Sequence, residues 1–333
     1  MIFKETDEGR GPFRYESPSR DPSGWIGDRL KMGECCPEVE GGSNMARVDR
    51  RRSENVPGEF FVDSTCIDCR ACEWIAPDSF SDHGGMARVY RQPSDRREFE
   101  RCLMALLSCP VSAIGSLSKH DLREVEALYP EPIEGSVFTC GYHSPKSYGA
   151  ASYLIVRPQG NILVDSPRFS KPLVDRLESM GGVSFMVLTH ADDVADHEKF
   201  HRHFGCVRVL HEDDSDQDTR SSEILLSGTE AMPLTEDALL IPVPGHTKGS
   251  LCVLYQDRYL FTGDHLSWSP LSQSLRASRR TCWYDWDRQI CSMERLAAYR
   301  FEWILPGHGW RIHLQSERMK MQLERCLSEM KKA

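Results

Sequence analysis

The chain has 333 residues, of which 40% are hydrophobic and 27% are charged, and its formal net charge is −9. This length allows two domains, the composition is typical of a soluble globular protein, and no apolar run approaches the roughly 18–20 residues that span a bilayer. The acidic balance argues against nucleic acid, because binding to phosphate backbones relies on surplus lysine and arginine. We therefore predict neither a membrane partner nor a nucleic-acid partner.

Residues 1–55 are rich in glycine, proline, serine and charge and show no apolar periodicity, which predicts a disordered tail. Cys35 and Cys36 in this tail have no spaced partners, and Met45, just before a basic run, is an alternative start. The first residues lack the basic-then-apolar order of a secretory signal. Together with 13 cysteines, several of them at metal-ligand spacing, this predicts a cytoplasmic location.

Residues 56–116 are predicted to form a small domain organised by its cysteines. An amphipathic helix is predicted from the apolar residues that recur at helical spacing, namely Phe99, Cys102, Leu103, Leu106 and Leu107. Cys102 lies on the apolar face of this helix and is therefore expected to be a core residue, since free cysteine packs like a small hydrophobe.

Three cysteines of this domain, Cys66, Cys69 and Cys72, follow one another at three-residue spacing, and a fourth, Cys109, precedes Pro110. This arrangement resembles bacterial-type ferredoxins. Because only one set of four is present, the resemblance implies a single [4Fe–4S] cluster bound by these four residues, a redox partner and an α+β fold. Zinc is the alternative metal, although structural zinc sites normally use two separated Cys-x₂-Cys pairs. Four unliganded core cysteines are the remaining alternative.

Residues 117–136 read as a linker with a short helix, and residues 137–333 as a second domain in which apolar β-type runs alternate with helical patterns. The predicted strands are 152–156, 161–165, 184–189, 206–211, 239–242, 251–255, 259–262 and 302–305. The predicted helices are about 171–180, 196–204, 286–299 and 314–330. The fold class is therefore α+β.

Several predicted strands of this domain are each followed by histidines and carboxylates. The residues are His190, Asp192, Asp193, Asp196 and His197 after one run, then His246, Asp264 and His308 after three others. Polar groups that leave the ends of buried strands are expected to meet at one edge of the structure. Imidazoles and carboxylates are the ligands that zinc and other borderline cations take.

In order and spacing these motifs resemble the metallo-β-lactamase superfamily across roughly residues 138–313. The resemblance implies an αβ/βα sandwich with two divalent metals at one rim. It assigns His190 and His246 to the first metal and Asp196, His197 and His308 to the second, with Asp264 as the bridging ligand. It also makes Asp196 a catalytic residue that orients the nucleophile, and it puts Asp165 where a carboxylate orients a ligand imidazole.

The sequence departs from the superfamily at one ligand. The first motif of the family is His-x-His-x-Asp-His, whereas here Asp192 stands at the second histidine and two extra residues precede Asp196. Asp192, or alternatively Asp193, is predicted to replace the missing imidazole. A carboxylate is a harder ligand, so iron or manganese becomes plausible beside zinc.

A long insertion between Asp264 and His308 carries aromatic and basic residues, namely Trp268, Arg276, Arg279, Arg280, Trp283 and Trp286. It reads either as a lid that brings arginines toward an anionic substrate or as a solvated basic loop. Five other histidines have no motif support and are expected to lie behind the ligands or on the surface: His201, His203, His211, His265 and His313.

Two activities follow from this reading. The first is a metal-dependent hydrolase acting on a small molecule, with a thioester or other small ester as the preferred substrate. The alternative is a di-iron redox enzyme that performs oxygen or nitric oxide chemistry and receives electrons from the cluster, as the resemblance of the Asp192 position to flavodiiron proteins implies. A non-enzymatic electron carrier with a degenerate hydrolase domain is a third reading.

Overall fold

The computed structural model describes residues 46–332. The N-terminal unit contains strands β1 (Phe60–Val62), β2 (Phe80–Asp82), β3 (Ala87–Val89) and β4 (Ile114–Ser116), with helices α1 (Ala71–Ile75) and α2 (Arg96–Ser108). β1 pairs antiparallel with β4, and β2 with β3. This arrangement brings the two ends of the domain together, so that the loop after β1 and the end of α2 lie close to each other.

The start of helix α2 is fixed by two reciprocal hydrogen bonds. The Asp95 carboxylate accepts from the Glu98 backbone N at 2.8 Å, and the Glu98 carboxylate accepts from the Ser94 backbone N at 2.8 Å. Such pairs satisfy backbone donors that have no partner inside the helix. The predicted helix is confirmed, and Cys102 is fully buried on its inner face.

The part of the predicted tail that the structure describes, residues 46–55, is ordered, whereas residues 1–45, with Cys35, Cys36 and Met45, lie outside the described residues. A short 3₁₀ helix spans Val48–Arg50. The buried side chain of Asn55 bonds to the backbone N and O of Val62 and to the backbone N of Val89. The side-chain amide of Asn55 thus pairs backbone groups of two strands, β1 and β3. The polar composition of residues 1–55 does not reveal this role.

The C-terminal region contains two large sheets that face each other. Their strands are β5 (Glu131–Glu134), β6 (Val137–Thr139), β7 (Tyr153–Ile155), β8 (Ile162–Val164), β9 (Phe185–Val187), β10 (Val207–His211), β11 (Ile224–Leu226), β12 (Met232–Thr235), β13 (Ala238–Pro242), β14 (Leu251–Tyr255), β15 (Tyr259–Gly263), β18 (Trp303–Pro306) and β19 (Ile312–His313). The seven-stranded sheet has the order β11–β10–β9–β8–β7–β6–β5, and the six-stranded sheet has the order β12–β13–β14–β15–β18–β19. The hairpin of β16 (Ser267–Ser269) and β17 (Ser274–Arg276) lies in the predicted insertion.

Five helices complete the region: α3 (Arg123–Glu126), α4 (Lys171–Ser179), α5 (His197–Phe204), α6 (Trp286–Leu296) and α7 (Ser316–Met330). One buried cluster between the sheets includes Val164, Val253 and Phe261, and a second, which includes Leu260 and Leu323, joins the six-stranded sheet to α6 and α7. The predicted sandwich of helix, sheet, sheet and helix is therefore confirmed. Within residues 46–332 no helix is both long and apolar enough to cross a membrane.

The N-terminal unit and the seven-stranded sheet share a third buried cluster. It includes Leu103 and Met104 of α2 together with Leu154 and Leu163 of the sheet. The predicted linker takes part in this joint, because the Ser108 hydroxyl donates to the Tyr129 hydroxyl at 2.8 Å. β5, which lies inside the predicted linker, is an edge strand of the sheet, so the C-terminal region begins earlier than the sequence suggested.

Candidate metal centre and cysteine pocket

Four segments that leave the carboxyl ends of strands bring polar side chains to one edge of the sandwich. His190 follows β9, His246 follows β13, Asp264 follows β15 and His308 follows β18. The sheets approach closely here, since a Cβ on Gly263 would lie 2.5 Å from Thr189 Oγ1, and this glycine has a φ of +48°. Glycine at this position therefore allows Asp264 to reach His190 across the gap.

Four ligand atoms at this edge form a compact group. Asp192 Oδ2 lies 3.5 Å from His246 Nε2 and 3.9 Å from His190 Nε2. Asp264 Oδ2 lies 3.8 Å from His246 Nε2 and 3.9 Å from His190 Nε2. Ligands about 2.0–2.2 Å from a tetrahedral zinc ion stand about 3.3–3.6 Å from one another, so the group is slightly wider than a zinc site requires.

The two imidazoles of this group present bare ring nitrogens to its centre. His190 Nε2 and His246 Nε2 are buried and have no hydrogen-bond partner among the described residues. A buried polar atom without a partner costs about 1–3 kcal/mol, which a bound cation would remove. The donor set therefore fits a divalent metal, and Asp192 stands where the family has its second histidine.

Hydrogen bonds on the far side of each ring set the tautomer that metal binding needs. His190 Nδ1 lies 3.0 Å from Thr189 Oγ1, and that hydroxyl donates to Asp165 Oδ2 at 3.0 Å. His246 Nδ1 donates to the Thr281 carbonyl at 2.5 Å. With Nδ1 as the donor, Nε2 is left unprotonated toward the metal position. Burial raises the pKa of Asp165 to about 7, and its bonds to Thr189 oppose that rise.

His308 and Asp264 form a close pair beside this group. His308 Nδ1 lies 2.9 Å and 3.0 Å from the two Asp264 oxygens, and His308 Nε2 donates to the Tyr148 carbonyl at 3.3 Å. Burial alone would lower the pKa of His308, but the charge and hydrogen bond of Asp264 outweigh it and raise that pKa. The same pairing holds the pKa of Asp264 below its ordinary value despite burial. Without a metal, His308 therefore holds a proton against Asp264.

Asp193 is a second buried carboxylate at this edge. It ends the 3₁₀ helix Ala191–Asp193, in which residues three apart align, so it returns beneath His190, with Oδ2 4.0 Å from His190 Nδ1. Neither of its oxygens has a hydrogen-bond partner among the described residues. Burial and then the charge of Asp264 raise the pKa of Asp193 well above its ordinary value. A Cβ on Gly307 would meet Asp193 Oδ2 at 2.7 Å and Asp264 Oδ1 at 3.0 Å, so the two carboxylates border the same small space.

The two remaining residues of the predicted second metal make their contacts elsewhere. Asp196 Oδ1 lies 3.1 Å from the amines of Lys146 and Lys199, and Asp196 Oδ2 accepts from the Phe169 backbone N. His197 is buried, with Nδ1 3.3 Å from Arg208 Nη1. The structure thus brings together His190, Asp192, His246, Asp264 and His308, and it puts Asp196 and His197 in an ion-pair network next to them.

The four cysteines of the ferredoxin-like motif line one small cavity. Asp68 and Arg70 between them adopt φ values of 59° and 63°, which curl the loop around the cavity. Backbone amides of Ala87 and Ala113 point at the sulfurs of Cys66 and Cys109, at 3.4 Å and 3.2 Å. Burial raises the pKa of Cys69 to about 12 and also raises the pKa of Cys72 well above its ordinary value, so these thiols ionise only beside a strong cation. Sulfur donors, amide hydrogen bonds and a curled loop fit an iron–sulfur cluster.

Part of the predicted insertion lies against His246. Besides the Thr281 carbonyl, the Trp283 backbone N donates to the His246 carbonyl at 2.8 Å, and the exposed Trp283 ring lies 6.1 Å from the imidazole. Sequence reasoning missed Thr281 as a partner of His246, because the two are 35 residues apart and only the folded chain joins them. It also missed Tyr148 beside His308, since no motif marks it. Of the histidines without motif support, His265 is buried, and burial lowers its pKa to about 3.

Comparison with known families agrees with both halves of this description. Residues 62–116 match the family described as the 4Fe-4S single cluster domain of ferredoxin I, and residues 140–327 match the metallo-beta-lactamase superfamily. A search of curated proteins finds no match.

Among solved structures, a metallo-beta-lactamase from Pontibacter korlensis is 17% identical, with a TM-score of 0.46 over 61% of this chain and 98% of that one. The mono-zinc form of the metallo-beta-lactamase FIM-1 from Pseudomonas aeruginosa is 17% identical, with a TM-score of 0.45 over 60% and 93%. An archaeal superfamily protein from Sulfolobus tokodaii is 15% identical, with a TM-score of 0.42 over 60% and 86%. Because the superfamily match covers more than half of the sequence, the chain belongs to the metallo-β-lactamase superfamily and carries a single-cluster ferredoxin domain ahead of that region.

Proposed function

We propose that the protein is a metal-dependent hydrolase whose principal metal, zinc, is held by His190, Asp192, His246 and Asp264. The observation that carries this proposal is a pair of buried imidazole nitrogens without a hydrogen-bond partner among residues 46–332, each of which lies 3.5–3.9 Å from an oxygen of Asp192 and from an oxygen of Asp264. A divalent metal at such a position lowers the pKa of bound water toward about 7 and polarises the oxygen of an ester or thioester.

The residues around this position have separate tasks. Asp165 and Thr189 fix the His190 ring so that Nδ1 carries its proton and Nε2 stays free. Thr281 does the same for His246. His308 holds a proton at Nδ1 against Asp264 in the metal-free protein, and this contact orients the Asp264 carboxylate toward the proposed metal position.

We propose that Asp193 and Asp264 form a weaker second cation position. His190 Nδ1 already serves Thr189, so this position offers carboxylate oxygens and suits a harder cation such as manganese or ferrous iron better than zinc. A buried carboxylate needs either a cation or a proton. One tight zinc per C-terminal region is therefore expected, with a second metal bound only when manganese or iron is supplied.

Metal analysis combined with turnover of a panel of acyl thioesters and small esters tests the proposal. The intact protein with zinc should hydrolyse at least one substrate. Asp264→Asn should lose both zinc and turnover, whereas Asp175→Asn, which alters an exposed carboxylate paired with Lys171, should keep both. Asp193→Asn should abolish binding of the second metal alone. Retention of zinc and turnover by Asp264→Asn would overturn the assignment.

A redox enzyme is the second candidate, and one observation favours it. The pocket of Cys69 lies close to His308, with one turn of chain between them. A cluster and a redox-active metal in these positions would be near enough to exchange electrons. Two irons in the C-terminal region, with oxygen consumption and no ester hydrolysis, would support this reading over the first.

A further inference from the structure

One turn of chain contacts both the cysteine pocket and the metal centre. It contains the 3₁₀ helix Pro145–Ser147, followed by Tyr148 and Gly149 at φ values of 47° and 82°. The Tyr148 hydroxyl donates to the Ile67 carbonyl in the loop between Cys66 and Cys69. On this side, therefore, the turn is tied to the loop that lines the cysteine pocket.

Gly149 packs directly on that loop. A Cβ at this position would lie 2.6 Å from Cys69 Cβ and 2.9 Å from Cys69 Sγ, distances that no real side chain adopts. Its left-handed φ also favours glycine. Only a residue without a side chain fits between the turn and Cys69. A shift of the cysteine loop toward the turn would therefore displace the turn.

The same turn holds His308. The Tyr148 carbonyl accepts from His308 Nε2 at 3.3 Å, and the two rings are 6.3 Å apart. Trp74, two residues after Cys72 on α1, adds an edge contact at 6.5 Å. Following the contacts and the backbone through Gly149, Cys69 Sγ and His308 Nε2 are at most about 12 Å apart. Since His308 Nδ1 faces Asp264, both ring nitrogens are committed, one to the turn and one to a proposed metal ligand.

We propose that Tyr148 and Gly149 are positioning residues that couple the cysteine pocket to the metal centre, so that the state of the iron–sulfur cluster sets the metal affinity of the C-terminal site. This inference rests on the proposed metal site but not on the hydrolysis proposed for it. The expected direction of the change in metal affinity follows from the charge of the cluster. One electron added to the cluster makes that side more negative, which favours a cation at the other end of the contact chain. Coupling is reciprocal, so a bound metal must in turn make reduction of the cluster easier.

The test uses the full chain with its cluster assembled and zinc as the probe, because zinc does not itself change oxidation state. The zinc dissociation constant is measured by chelator competition with the cluster oxidised and again with the cluster reduced by dithionite. We expect zinc to bind at least about fivefold more tightly in the reduced protein, the lower end of typical coupling between sites. The reduction potential of the cluster should become more positive when zinc is added.

Two pairs of variants separate the coupling from general damage. Tyr148→Phe removes the bond to Ile67 and should bring the zinc affinity ratio toward one. Tyr90→Phe removes a similar exposed hydroxyl bond, to the Pro77 carbonyl, and should keep the wild-type ratio. Gly149→Ala should lower cluster content and zinc affinity together, whereas Gly228→Ala, at a φ of +80° with no atom within 4 Å of the added Cβ, should change neither.

An equal zinc affinity in both cluster states, or an unchanged ratio in Tyr148→Phe, would overturn the coupling. If Gly149→Ala fails to fold, the Tyr148 pair still decides the question. If zinc affinity depends on the state of the cluster but no ester or thioester is hydrolysed, the coupling stands and the proposed activity is wrong. If esters are hydrolysed but zinc affinity does not depend on the state of the cluster, the activity stands and the coupling is wrong.

Discussion

The hydrogen-bonded relay behind His190 gives the sharpest test of the metal centre. Thr189→Val keeps the shape of the side chain but removes the hydroxyl that joins His190 Nδ1 to Asp165 Oδ2, both at 3.0 Å. The bond from the Thr189 backbone N to Asp165 Oδ1 is unaffected. The variant therefore perturbs the orientation and tautomer of one ligand without touching the metal position itself.

The expected changes in zinc affinity and in stability follow from the two groups that lose a hydrogen-bond partner, the His190 ring and the Asp165 carboxylate. Loss of a group that orients a metal ligand typically weakens metal binding about 10- to 100-fold, or about 1.4–2.7 kcal/mol. In the metal-free protein, the buried Asp165 oxygen left without a donor should lower the free energy of unfolding by about 1–3 kcal/mol. Chelator competition measures the first quantity and denaturant unfolding the second.

Thr219→Val is the matched control. Thr219 is equally buried and its hydroxyl also donates to a carboxylate, Asp216 Oδ1 at 2.9 Å, but in a loop that contributes no proposed ligand. It should lower stability without changing the zinc dissociation constant. If Thr189→Val binds zinc as tightly as wild type, or if both variants weaken zinc equally, the relay does not orient His190 and the reasoning fails.

Three further predictions concern the other named groups. Asp192→Ala should raise the zinc dissociation constant at least about tenfold, since it removes one of the four proposed ligands. Zinc content measured after dialysis should show the loss, and unchanged content would exclude Asp192 as a ligand. Cys102→Ala should keep the absorption of the iron–sulfur cluster, because Cys102 is a core residue, while Cys109→Ala should lose or destabilise it; equal loss from both would show that the cavity is misassigned. In metal-free protein the pKa of His308 measured by NMR titration should lie above the ordinary histidine value, and Asp264→Asn should lower it, because burial is then opposed only by the Tyr148 carbonyl and the charge of Asp192; no downward shift would refute the pairing.

The core of the fold was predictable because its strands are buried on both faces. Residues 251–255, for example, were predicted as a strand with the bounds that the structure has. Two of the strands that went unpredicted lie where burial is weaker. β11 and β12 are edge strands with the exposed side chains of Leu225 and Met232, so their apolar signal is short and broken. β5 was hidden because Pro132 and its neighbours read as a turn-rich linker, although proline is tolerated in an edge strand.

The side chains proposed as ligands at strand ends could be singled out for the same reason, since their motifs follow apolar runs directly. The contacts of Asp193, Asp196 and His197 were not predictable. A 3₁₀ turn sets Asp192 and Asp193 at different angles, and Ala195 has a φ of 35°, which redirects the chain before Asp196. His197 then faces the buried guanidinium of Arg208, 11 residues away on β10. These orientations depend on tertiary packing, which spacing along the sequence does not encode.

The buried cluster shared by α2 and the seven-stranded sheet bears on how such a protein can arise and be re-engineered. Leu103 and Met104 pack in the same buried apolar core as Leu154 and Leu163. The ferredoxin-like domain is therefore covered on that side by the sheet and not by residues of its own. Transplanting residues 62–116 onto another enzyme as a cassette would expose this face and leave its counterpart on the recipient unmatched. A fusion of the two halves therefore needs apolar side chains that match on both sides of the joint, and a designer who moves one half must carry the matching sheet face with it.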